Sequence, residues 1–186
     1  MRVFATTLLL ISTALFASAP GAAATTWTLK QSKIAYHVDH LLHKSEGVSV
    51  AAKGKGSCGV GPGCAFRIAV PVKTFESGDS NRDLHMQEIT RAASFPLIDV
   101  KARFASAPEE GPLTVSLEIA FAGRSRTYGA VALAVVSRTP DAVTVTGEIP
   151  LKLSDFEVER PSLLGVAVKD EVALTIEAVW EETSSN

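Results

Sequence analysis

Two-residue alternation of apolar and polar side chains dominates this chain. Ile34, Tyr36, Val38 and His40 share one face of an extended segment, and Lys33, Ala35, His37 and Asp39 take the other. The same rhythm returns in Val48–Val50, in Phe66, Ile68 and Val70, and in Ile98, Val100, Ala102 and Phe104. It is longest in Leu113, Val115, Leu117, Ile119 and Phe121, and it recurs around Leu133, Val145, Leu151 and Ile176, ending at Trp180. Side chains alternate faces along a strand, so each run predicts a strand with one wet and one buried face. Eight or nine such runs joined by short turns predict an antiparallel barrel or sandwich, all-β and a single domain. Turn residues fall between the runs, as in Ala122-Gly123-Arg124 and Thr139-Pro140-Asp141.

Residues 77–93 break the rhythm. Asp79 or Ser80 is suited to cap a helix there, and Leu84, Met86 and Ile89 give it a partly apolar side. This predicts one helix lying against or across the barrel. The buried faces are mainly Val, Ile, Leu and Ala, with few aromatics. An eight-stranded barrel either fills its interior with side chains or leaves room for one ligand. Modest side chains lean towards the hollow form, and a solid aliphatic core stays open as the alternative.

The first 24 residues read differently. One basic residue, Arg2, precedes a short apolar run and then the small residues Ala22, Ala23 and Ala24. That is the plan of a secretory signal, and the run is short for a span of ~20 residues. The expectation is a leader over 1–24 and a domain over 25–186, periplasmic or secreted, with no integral membrane segment once the leader is removed. Removing Arg2 leaves 17 basic against 20 acidic residues, a net charge of −3. Charge that is mildly acidic and well mixed disfavours nucleic acid as a partner. Cys58 and Cys64 flank Gly-Val-Gly-Pro-Gly. In an oxidising compartment the simplest expectation is a disulfide across a hairpin tip, because the spacing is not C-x-x-C and no neighbouring charge would activate a thiol.

In order and spacing, the motifs resemble the YceI family of exported, lipocalin-like proteins associated with isoprenoid and other long-chain lipids. The resemblance starts at Trp27-Thr28-Leu29-Lys30 and runs through Ser32 to His40, with Tyr36 in the aromatic place. It continues through Gly47 to Gly56, Arg82-Asp83-Leu84-His85-Met86, Phe95-Pro96 and the segment from Leu117 to Tyr128. Lys30 stands where an Asp is common, Leu153 replaces an expected Arg, and the two-cysteine insert is not a general feature of the family. The resemblance implies an eight-stranded, calycin-type barrel that carries a long isoprenoid or fatty-acyl chain, with no reaction and no cofactor.

Three of the four histidines, His37, His40 and His43, lie close together. Alternation sends His37 to the opposite face from His40, so a three-histidine metal site would need the strand to break, and no metal site is assigned. His40 shares the inward face at the strand end, where an imidazole can meet a ligand headgroup or be satisfied by the protein itself. His37 is expected to face solvent. No nucleophile elbow, paired carboxylates or phosphate-cradling loop is present, so catalysis is not expected. The candidate lining is Tyr36, Val38, Phe66, Ile68, Val100, Phe104, Leu117, Ile119, Leu133 and Ile176. His40 is the candidate polar contact at the rim, joined by Arg82 and Asp83 from the family match. A surface-acting barrel with a filled core is the alternative, metal handling through the histidines is a third reading, and a homodimer is left open.

Overall fold

A computed structural model describes residues 24–39, 44–59, 63–163 and 166–183. Residues 1–23 of the expected leader, His40 and His43 lie outside the described residues. The elements are β1 (Thr25–Asp39), β2 (Lys44–Ser49), β3 (Lys53–Cys58), β4 (Cys64–Pro71), α1 (Ser80–Ile89), β5 (Leu97–Phe104), β6 (Gly111–Phe121), β7 (Arg124–Arg138), β8 (Ala142–Lys152), β9 (Ser162–Leu163), β10 (Val166–Ala167) and β11 (Glu171–Thr183). Neighbouring strands pair antiparallel in the order β11-β8-β7-β6-β5-β4-β3-β1, and β1 pairs back onto β11. The first part of β1 pairs with β3 and the last part with β2, so β2 and β3 act as one bent strand. The result is a closed eight-stranded barrel, and closure removes the exposed edges that an open sheet would carry.

The alternation is cleanest in β6, where Leu113, Val115, Leu117 and Ile119 are all buried. In β1 it hides a change of phase. A register shift between Leu29 and Gln31 moves the inner face from Trp27 and Leu29 to Ile34, Tyr36 and Val38. Such an extra residue bends a strand and re-aims the side chains beyond it. Large rings sit over glycines on a neighbouring strand or, for Trp180, on the strand beyond β1. A Cβ on Gly56 would lie 2.2 Å from the Phe66 ring, one on Gly54 2.7 Å from Trp180, and one on Gly47 2.4 Å from Tyr36. The glycine-spaced strand is therefore the bed on which the inward aromatics lie.

The helix forms as predicted, with Asp79 as its cap, accepting from the backbone N–H groups of Asn81 and Arg82. Its apolar side is only partly the expected one. Arg82, His85, Met86 and Ile89 face the barrel, whereas Leu84 is 63% exposed. At 3.6 residues per turn, Leu84 stands roughly opposite both Met86 and Ile89. Arg91, just beyond the helix, donates to the carbonyls of Ala122 and Phe156. Tyr128 donates to Asp155 Oδ2 over 2.9 Å, tying the 153–156 turn to β7. At the opposite end of the barrel the β3–β4 hairpin is closed by a Cys58–Cys64 disulfide between directly opposed residues, Cα–Cα 4.1 Å.

Candidate ligand cavity

The barrel is hollow. A cavity of about 950 Å³ runs from the helix end to the disulfide end, near the upper limit of ordinary ligand pockets. The open question of a solid or hollow core is answered by this cavity, lined mainly by small and medium aliphatics.

Of the residues singled out in the sequence, Tyr36, Val38, Phe66, Ile68, Val100, Phe104, Leu117, Ile119, Leu133, Ile176 and Arg82 line this cavity. Asp83 does not. Its Oδ1 accepts from the Ser77 backbone N–H at 3.0 Å, which fixes the approach to the helix. His37 faces outwards, with Nε2 3.1 Å from Thr175 Oγ1 and Nδ1 3.4 Å from Glu46 Oε2. Among the described residues no group of three or more His, Cys, Asp or Glu side chains is arranged to hold a metal ion.

Aromatic rings gather towards the two ends and leave the middle to aliphatics. At the disulfide end Phe66 meets Trp180 edge-on at 4.8 Å and stacks on Phe104 at 5.4 Å. At the helix end Tyr36 leans on Phe75 at 5.7 Å, and Phe121 meets Phe156 at 5.5 Å. Sequence reasoning passed over Trp27, Phe75, Met86, Phe156 and Trp180 as wall residues. Trp180 closes an alternating run and was legible; Trp27 was masked by the phase change in β1, and Phe75 and Phe156 sit in connections that have no period.

Charge is sparse on the wall. Arg82 and His85 approach from the helix, Lys152 stands at the same end on β8, and Arg138 and Glu182 lie near the disulfide end. Arg82 is 3.7 Å from the cap residue Asp79, an exposed pair within one helical turn. Burial pushes the Tyr36 phenol above its ordinary value, with Asp83 adding to the rise and Arg82 opposing it. Tyr36 therefore stays protonated at the helix end of the cavity, a hydroxyl able to donate or accept.

A model of the YceI-like domain family matches residues 25–180. No curated protein matches the chain in sequence. Among solved structures, the chain is similar to a polyisoprenoid-binding domain from Saccharophagus degradans implicated in plant cell wall breakdown. The identity is 12%, the TM-score 0.69, and the match covers 84% of this chain and 98% of that one. It is also similar to BcnA of Burkholderia cenocepacia, at 19% identity and TM-score 0.68, covering 80% and 95% respectively. Such identities speak for the fold alone. With the family match spanning nearly the whole described barrel, the chain belongs to the YceI-like domain family.

Proposed function

We propose that this chain is exported by its leader and that its barrel holds one long apolar chain, of isoprenoid or fatty-acyl type, for transport or storage. The observation that carries the reading is the continuous apolar hollow, walled by Ile34, Ile68, Val100, Leu117, Ile119 and Ile176. The polyisoprenoid-binding domain among the structural neighbours supports the same ligand class. Burying ten methylenes at ~0.8 kcal/mol each yields ~8 kcal/mol gross, which corresponds to a micromolar dissociation constant before association costs. Longer chains gain in proportion until the hollow is full. No reaction is part of this reading, and the hollow interior speaks against the filled-core alternative.

Both tryptophans of the chain, Trp27 and Trp180, line the cavity, so intrinsic fluorescence reports its occupancy. Titration with a polyene fatty acid should quench them with saturation. Ala102 and Ala178 project inwards from β5 and β11, four strands apart around the barrel and so on opposite walls. The double substitution Ala102→Phe with Ala178→Phe should fill the middle and abolish quenching while circular dichroism still shows the sheet. Unaltered, saturable quenching in the folded double variant would place the lipid elsewhere.

A further inference from the structure

Among the described residues, two buried side-chain polar atoms have no hydrogen-bond partner, Ser32 Oγ and Arg138 Nε, and both residues line the cavity. Buried polar atoms are nearly always paired, so each needs an explanation. Arg138 faces inwards only because β7 is bulged. Val135 pairs with Val145, Ser137 with Thr144 and Arg138 with Val143, which makes Val136 the extra residue and leaves it half exposed. Unbroken alternation from Leu133 and Val135 would have turned Ser137 inwards and the guanidinium out to water. Bulges at barrel rims serve to re-aim a side chain, and here the side chain re-aimed is a cation.

Among the described residues the arginine has one ion-pair partner on the protein, and a loose one. Its side chain is 21% exposed, and Glu109 Oε2 lies 3.7 Å from Nε, beyond hydrogen-bond reach, on a side chain 90% exposed. Glu182, at the same rim, is also exposed. Arg82 at the helix end is the opposite case: it stands on an exposed helix beside Asp79. Ser32 lies one register row farther from the rim. The row Leu29–Trp180–Val143–Arg138 gives way inwards to Ser32–Ala178–Val145–Val135.

We propose that Arg138 binds the head of the ligand, and that this head is a carboxylate or phosphate oxyanion held at the disulfide end, with Ser32 as a further donor and the tail running towards α1. The proposal rests on the carrier reading and adds to it the ligand's charge and its direction. A guanidinium recognises either oxyanion through charge-assisted, often bidentate hydrogen bonds.

The test measures displacement of a fluorescent apolar probe by matched pairs, laurate against dodecanol and farnesyl monophosphate against farnesol. The wild-type chain should bind at least one of the two anions about tenfold to a hundredfold more tightly than its alcohol, and which pair shows the larger ratio identifies the head. Arg138→Met should remove that preference and leave alcohol affinity and melting temperature unchanged. Glu109→Gln, which removes a competing carboxylate, should enlarge the preference. Alcohols that bind as well as both anions, or a preference that survives Arg138→Met, would overturn the head site and leave the carrier standing. If neither anion nor alcohol displaces the probe, the carrier reading fails and the head site with it.

Discussion

The two ends of the barrel are built by different means. At the disulfide end the chain turns in short hairpins, Cys58 and Cys64 staple one of them, and Phe66 is wedged between Trp180 and Phe104 over the bare backbone of Gly56. At the helix end two of the connections, β4 to β5 and β8 to β11, are long. The helix, the 153–156 turn and the β9–β10 hairpin gather over the opening, held by Arg91 on two carbonyls and by Tyr128 on Asp155. Both ends are packed, one around Phe66 and Trp180, the other around the buried Phe75 and Phe156. They differ in what reinforces the packing, a disulfide at one end and polar side-chain ties at the other.

Substitutions at matching positions sharpen this contrast. Gly56 and Gly47 each support a ring, but Phe66 is locked between two further rings, whereas Tyr36 is half-buried and leans on Phe75. Gly56→Ala should cost about 3 kcal/mol in urea denaturation and Gly47→Ala about 1 kcal/mol, as expected when an added methyl meets a fixed or a yielding neighbour. Equal costs would erase the distinction between the ends.

Reduction of the disulfide should cost about 2 kcal/mol, because the closed loop is short. The loss should appear as a lower midpoint in urea with dithiothreitol, and the Cys58→Ser, Cys64→Ser double variant should reproduce it. A loss several times larger would mean that the staple, rather than the aromatic cluster, holds that end.

The smallest effect belongs to the helix end. Tyr128→Phe removes one tie and should cost about 1 kcal/mol. Burial, reinforced by the hydrogen bond to Asp155, pushes the Tyr128 phenol well above the ordinary tyrosine range. Its contribution is therefore complete below about pH 10, where the unfolded chain begins to lose the phenolic proton, and falls away as the pH rises beyond that. Tyr36 is shifted in the same direction. Wild-type stability should decline above about pH 10, and Tyr128→Phe should make that decline shallower. An identical alkaline limb in the variant would show that the tie contributes nothing.

The same contrast explains what the sequence could tell. Strands without bulges, such as β6 from Leu113 to Ile119 and β11 from Val172 to Trp180, declare their inner faces by alternation. In β1 and β7 an extra residue shifts the phase, and the period alone then misplaces Trp27 and gives no hint that Arg138 turns inwards. The resting of Phe66 on Gly56 is a property of register between strands, which no single strand's pattern contains. The ties at the helix end join residues far apart in the chain, as Arg91 does with Ala122 and Phe156. The helix itself was legible from Asp79 onwards, but its orientation was not, because Leu84 proved to be the exposed apolar side chain.

The central claim is that this apolar hollow is occupied by a hydrocarbon chain. Native mass spectrometry of the protein, purified gently without denaturant, tests it most directly. The account predicts one adduct of isoprenoid or fatty-acyl mass per barrel, released on denaturation. A bare chain mass in every preparation, with no rise in melting temperature when such lipids are added back, would contradict it.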